Sequence, residues 1–172
     1  QGSVTVDGNL SEWGPSIQWT SMDQVYYGLP NDMPSARFAL RWDSGTGKIY
    51  AAVEIEDTTH WFTDTFGSAW DASDRLEIHC QGDNVGGAYG TDYDEAQQYM
   101  VGHPDVAANN WQNWADDTII DPDAGFDAAT SVSGDTITYE IQVTPFNFYG
   151  TKGALGANDP TVMAVGSIVR FD

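Results

Sequence analysis

ARFALRWDSGTGKIYAAVEIE, residues 36–56, decides the fold. Ala36, Phe38, Leu40 and Trp42 alternate with Arg37, Ala39 and Arg41, the period of a strand that buries one face. Asp43-Ser44-Gly45-Thr46-Gly47 supplies turn-forming residues. The alternation then resumes with Ile49, Ala51, Val53 and Ile55, leaving Glu54 and Glu56 on the opposite face. The stretch predicts a β-hairpin with Ala36, Phe38, Leu40 and Trp42 on its buried side.

The same period of two extends outward from the hairpin. It predicts strands at Leu76-Ile78-Cys80, over 97–101 and at Ile137-Tyr139-Ile141-Val143, the last introduced by a Ser133-Gly134-Asp135 turn. Residues 161–171 are almost wholly apolar and predict a final strand covered on both faces. Two polar, aromatic-containing stretches, 58–73 and 102–125, read as long loops, and loops of that length are often functional. No segment keeps a 3.6-residue period, and there is no repeat, linker or low-complexity tract. The expected architecture is all-β: a single antiparallel β-sandwich, jelly-roll-like, spanning residues 1–172.

The composition narrows the partners. Six basic residues against 26 acidic ones give a formal net charge of −20, which repels nucleic acid and anionic membrane. Such an acid excess suits divalent cations or salty water, and it also serves plainly as a solubilising surface. No run approaches about 18 consecutive apolar residues, so the sequence predicts no membrane-spanning helix. The start lacks the basic and apolar regions of a signal peptide, so any export signal is expected to have been removed; Gln1-Gly2-Ser3 takes no part in the fold reading. The lone Cys80 excludes an intrachain disulfide, and its inward strand position predicts a buried, inert thiol.

Five segments together resemble one known family. VTVDGNLSEW (4–13) resembles the opening of family 9 carbohydrate-binding modules and their DOMON-related relatives, and IYAAVEIEDTTHW (49–61) resembles their central strand ending in aspartate. WDASDRLEIHCQGDN (70–84) is similar to the segment in which tryptophan and aspartate precede a glutamate-bearing strand. YDEAQQYMV (93–101) and TYEIQVTPFNF (138–148) match two later strands, and all five occur in family order. The resemblance implies a secreted or cell-surface β-sandwich with structural calcium and an aromatic-lined sugar site. It implies no catalysis, although such a module can be appended to a carbohydrate-active enzyme. Trp70 matches the first of two tryptophans that clamp the sugar, and Glu77 matches a glutamate that hydrogen-bonds it, allowing one inserted residue. The chain departs from the sugar-binding pattern at Tyr99 and Val101, where those members carry arginine and asparagine. The second clamp tryptophan belongs to a segment beyond Asp172, and a sheet edge left open there would accept a partner's strand.

The residues themselves suggest sites beside this resemblance. Calcium takes about six to eight oxygen ligands, and Asp57, Asp64 and Asp74 flank two strand ends where they would converge. The plainer reading is three solvated turn aspartates. Asp92, Asp94 and Glu95 form a weaker cluster, and Asp116, Asp117, Asp121, Asp123 and Asp127 lack a calcium-loop pattern. Trp13 and Trp42 occupy strand-like positions and are expected in the core, whereas Trp61, Trp70, Trp111 and Trp114 lie in or beside the polar loops. A sugar presents an apolar C–H face and a rim of hydroxyls, so an aromatic plate with nearby polar groups suits it. NNWQNW (109–114) offers that mixture, and it reads equally well as two indoles packed down to anchor a loop. The expected carbohydrate-contacting set is Trp70, Glu77, Trp61, Trp111, Trp114 and Tyr99, with a polysaccharide or oligosaccharide as ligand.

Other classes fare worse. His60, His79 and His103 show no zinc-like spacing, and His79 alternates onto the outer face of its strand. No nucleophile elbow or phosphate-cradling loop occurs, and carboxylates this abundant make any glycosidase pair arbitrary. Haem held by one of Met22, Met33, Met100 or Met163 and a histidine is a weaker rival. An assembly subunit joined through the open sheet edge is the other alternative.

Overall fold

Two larger antiparallel sheets and a two-stranded ribbon make up the described residues, 4–24, 33–61, 74–82, 97–102, 110–112, 125–148 and 159–171, of a computed structural model. The strands are β1 (Thr20–Ser21), β2 (Ser35–Asp43), β3 (Lys48–Glu56), β4 (Leu76–Gln81), β5 (Gln97–Val101) and β6 (Asn110–Gln112). They continue with β7 (Phe126–Ser133), β8 (Thr136–Val143), β9 (Phe146–Phe148), β10 (Asp159–Pro160) and β11 (Arg170–Phe171). The larger sheet has the order β1-β2-β3-β8-β7 and the smaller the order β11-β4-β5-β6, with β9 and β10 paired separately. The all-β antiparallel architecture read from the sequence is the one observed.

The β2–β3 hairpin pairs in register from Ser35↔Glu56 to Asp43↔Lys48. Its turn is held by the Asp43 side chain, which accepts from the Gly45 N–H at 3.0 Å and the Thr46 hydroxyl at 2.9 Å. The Gly45 bond first, and then the Thr46 bond, hold the Asp43 carboxyl below its ordinary range.

The main core lies between the sheets. Ala51 and Val53 of β3, with Ile137, Tyr139, Ile141 and Val143 of β8, meet Leu76, Ile78 and Cys80 of β4 and Tyr99 and Val101 of β5. Phe126 of β7 stacks on Tyr99 with ring centroids 4.1 Å apart. Gln97 is buried at the border of this core. Its amide donates to the Tyr99 hydroxyl at 2.6 Å and the Thr144 carbonyl at 2.9 Å, and accepts from the Phe146 N–H at 2.9 Å. A buried amide satisfied on both sides ties the smaller sheet to the exit of β8.

The larger sheet is covered on its other face too. Val4, Val6, Leu10, Trp13, Ile17 and Trp19 of the N-terminal segment pack on Ala39, Tyr50 and Ala52. Glu140 of β8 faces this side with no exposed surface, and accepts from the N–H groups of Asp7 (2.9 Å) and Gly8 (3.1 Å) and from Trp13 Nε1 (2.8 Å). Charge-assisted bonds of this kind are about twice as strong as neutral ones, so Glu140 anchors the cover.

Three expectations are corrected. In β2, Ala39 is buried beneath the N-terminal cover while Leu40 on the other face is 43% exposed, because both faces of the sheet carry apolar packing. The stretch 102–125 is not one loop: Asn110–Gln112 pair with β5 as an edge strand. Residues 161–171 are not a continuous strand either. A turn at Val165–Gly166, where Gly166 has φ of +97° and Ser167 donates to the Ala164 carbonyl at 2.9 Å, divides them. Only Val169 and Phe171 pack on the core, and Val162 and Val165 stand almost fully in water.

Candidate functional site

One end of the sandwich gathers carboxylates and an indole. β3 ends where β8 begins, since Glu56 pairs with Thr136, and Asp57 follows directly. The Asp57 N–H donates to the Asp135 carbonyl at 2.8 Å, and its carboxylate accepts from the Thr59 N–H at 2.8 Å. Asp74, just before β4, makes a two-way link with Trp61. Its N–H donates to the Trp61 carbonyl at 2.7 Å, and its carboxylate accepts from the Trp61 N–H. The Trp61 residue is 62% exposed.

Tyr139 shows that Asp57 and Asp74 share this end. Burial is the first cause pushing its phenol up beyond the ordinary range, and the carboxylates of Asp74 and then Asp57 add to it. Carboxylates are the hard oxygen donors that calcium takes, and here those of Asp57 and Asp74 accept from the backbone N–H groups of Thr59 and Trp61. Among the described residues, no three acidic, histidine or cysteine groups stand together as a metal cluster. Asp64, the third expected ligand, lies outside the described residues, as do Asp92, Asp94 and Glu95.

The outer face of the smaller sheet carries the second group. β4 turns Leu76, Ile78 and Cys80 inward, so Glu77 and His79 point outward two residues apart. His79 Nε2 lies 3.1 Å from Glu77 Oε1, with both side chains more than a third exposed. The register sets Glu77 opposite Met100 of β5, and Met100 opposite Trp111 of β6. His79 stands opposite Gln98. Glu77, Met100 and Trp111 therefore form one row across the sheet.

The expected ligand residues divide accordingly. Glu77 and Trp111 share this row, and Trp61 is an exposed plate on the segment leading toward β4. Trp70 and Trp114 lie outside the described residues. Tyr99 is a correction. It has 1% of its surface exposed, and its ring is stacked on Phe126, so it belongs to the core and has no face to offer a ligand. Its β5 position alternates inward with Gln97 and Val101, a pattern visible in the sequence. Trp13 is buried as expected, and Trp42 is half-buried.

Sequence reasoning missed two features. His79 received no role, although its i, i+2 spacing from Glu77 on a strand was the available signal. The partners of Arg37 and Arg41 are the second, since the alternation places both on the strand's other face without showing what covers it. Arg37 lies 4.4 Å from the centroid of the Trp19 ring and pairs with Glu54, while Arg41 lies 5.6 Å from that of Trp13 and donates to the Glu12 carbonyl at 3.1 Å. Both share the N-terminal-cover face of the larger sheet with Ala39 and Tyr50, away from Glu77.

Two solved structures share this architecture. One is a family 9 carbohydrate-binding module from Caldicellulosiruptor kristjanssonii in complex with cellotriose, at 20% identity and a TM-score of 0.59 over 88% of this chain and 66% of that one. The other is a family 9 module from the same organism in complex with glucose, at 19% identity and a TM-score of 0.56 over 83% of this chain and 64% of that one. The chain thus has a β-sandwich fold like that of family 9 carbohydrate-binding modules. It spans just under two thirds of the length of these two structures. No protein-family model matches the chain, and no curated protein matches it.

Proposed function

We propose that the protein is a non-catalytic, secreted or cell-surface module that binds a neutral polysaccharide through the outer face of its smaller sheet. The observation that carries this reading is the Glu77-Met100-Trp111 row, with His79 against Glu77, on a fold shared with modules bound to glucose and cellotriose. A carboxylate accepts hydrogen bonds from sugar hydroxyls, and an indole stacks on the C–H face of a pyranose. The choice of a neutral glycan follows from charge. A chain of net charge −20 that presents a carboxylate at its site repels uronates and sulfated sugars. Trp61, Trp70, Trp111 and Trp114 are the plates in this reading, and Asp57, Asp64 and Asp74 hold a structural calcium.

The test is a glycan array and affinity electrophoresis, run with calcium and again with chelator. Binding to one class of neutral polysaccharide, weakened at least tenfold by Trp111→Ala or Trp70→Ala, is the expected result. Silence on every glycan, or equal binding by both variants, overturns it. The exposed Val162, Val165 and Ile168 favour a second reading, an assembly surface. That reading predicts a mass that rises with protein concentration in light scattering.

A further inference from the structure

We infer that β7 is a self-pairing edge, along which two copies of this chain join antiparallel into one sheet of ten strands, five from each copy. Among the described residues, the two larger sheets end in the edge strands β1, β7, β11 and β6. β1 and β11 have two residues each and β6 has three, too few to template another chain, whereas β7 has eight. β7 pairs with β8 without a break in register from Phe126 to Ser133, and no strand among the described residues pairs with its other side. Alternate backbone N–H and C=O groups therefore point away from β8 along that side. The last three residues of β7, Ser131, Val132 and Ser133, are exposed.

Natural sheets guard such edges with charged side chains, proline or a bulge. Residues 128–133 carry no charge and no proline, and the pairing of β7 with β8 has no bulge. Two chains of net charge −20 repel at long range, and this neutral edge is where they approach against the least repulsion. It holds no charge to draw a charged peptide, so the matching partner is the same neutral strand of a second copy.

Symmetry narrows the register. A two-fold pairing sets each residue opposite one an even number of positions away, so that facing side chains share a side of the sheet. An axis at Thr130 pairs residues 127–133 throughout, with Asp127 facing Ser133, Ala128 facing Val132 and Ala129 facing Ser131. An axis at Ser131 would instead set Asp127 against Asp135 of the second copy, and like charges directly opposite are destabilising. The axis at Thr130 stands perpendicular to the joined sheet, so both smaller sheets lie on one side of it with their outer faces turned the same way. On the carbohydrate reading of those faces, the dimer meets a polysaccharide surface with two sites at once, which raises avidity without a new contact.

Analytical ultracentrifugation from micromolar to hundreds of micromolar chain tests the pairing. The intact chain should show a monomer–dimer equilibrium that tightens as added salt screens the charge. Thr130→Asp, which opposes two carboxylates at the axis, should weaken the dimer at least tenfold with its circular-dichroism melt retained. Thr130→Cys should crosslink to its own mate on mild oxidation, because facing residues hold their Cα atoms about 4.5–5.5 Å apart. Val132→Cys, with its mate about 13 Å away along the strands, should not. The buried Cys80 takes no part in either crosslink. A chain that stays monomeric at every concentration overturns the inference. So does a dimer that survives Thr130→Asp and is lost in Val165→Asp, which would move the contact to the exposed turn at Val165. On an insoluble polysaccharide Thr130→Asp should bind at least tenfold more weakly than the intact chain, while soluble oligosaccharides bind both equally. A dimer broken by Thr130→Asp that binds no glycan upholds the pairing and overturns the carbohydrate reading alone.

Discussion

Glu140 is a carboxylate with no surface in water, and its three donors all come from residues more than 120 positions earlier in the chain. Glu140→Gln keeps the shape but replaces one accepting oxygen by an amide NH2, which meets either Trp13 Nε1 or the backbone N–H groups of Asp7 and Gly8. Leaving buried donors unmatched costs about 1–3 kcal/mol each, so the variant should lose about 2–4 kcal/mol in urea unfolding. Trp13→Phe removes only the indole donor and should lose less. The double variant should lose less than the sum, because both changes break one network. Additive losses would disprove that coupling. The sequence did not single Glu140 out. Thr138 and Gln142 share its strand face, and only the cover contributed by 4–19 makes the middle position buried. Cys80, by contrast, was legible as an inward thiol, and burial pushes it from 9.0 up to about 12. The sign follows directly. Above pH 9 the unfolded thiol loses its proton while the folded one keeps it, so the unfolded state binds fewer protons and stability falls as pH rises. This contribution is fully present below pH 9 and disappears between pH 9 and 12, at up to about 1.4 kcal/mol per unit. Tyr139, raised in the same direction, adds to the slope above its ordinary 10.0. Urea unfolding between pH 8 and 10.5 should show the decline, and Cys80→Ala should flatten it.

Elements were readable where one cause fixed them. β3 and β8 pair over eight residues with Val53 opposite Tyr139 and Ile55 opposite Ile137, and their inner faces follow the period of two. β2 misled because its alternation was real but two-sided. Phe38 packs on the inter-sheet core, while Ala39, one residue on, packs beneath the N-terminal cover. A segment without regular period, such as 4–19, leaves no trace in the strand it covers except the continuous apolar run Ile49-Tyr50-Ala51-Ala52-Val53. β6 escaped notice because three residues are too few to show a period, and because Asn110 and Gln112 are polar edge positions. The final run failed for the opposite reason. Val162, Val165 and Ile168 supply composition without a partner strand among the described residues, and a strand exists through its ladder rather than through its hydropathy. Gly82 marks a limit of another kind. A Cβ there would meet Thr161 Oγ1 at 1.9 Å and the Phe146 carbonyl oxygen at 2.6 Å, a contact between segments that no local pattern encodes. On the candidate site, the spacing of Glu77 and His79 was legible. The row that joins Glu77 to Trp111 depends on the register of three strands and was not.

At the scale of the whole molecule, 26 acidic residues face six basic ones, and two of those six are held by Trp13, Trp19 and Glu54 on the cover face. Self-repulsion of this size destabilises the compact state, so added salt of any kind should stabilise it. A calcium held at the end shared by Asp57 and Asp74 adds a different signature. Screening grows gradually with ionic strength, whereas site binding saturates and stabilises by RT ln(1 + [Ca²⁺]/Kd), about 2.7 kcal/mol at a hundredfold excess over Kd. Thermal melts in calcium chloride and in sodium chloride of matched ionic strength separate the two. A saturating rise in Tm at millimolar calcium, reversed by chelator and absent in Asp57→Asn, is the expected result. Asp74→Asn should abolish it as well, while both variants keep the ordinary response to sodium chloride. Equal curves for the two salts would leave Asp57 and Asp74 as turn residues that cap the ends of β3 and the segment before β4. Their combined push on Tyr139 would then be a cost of placing two carboxylates over one buried phenol, with no cation to offset it.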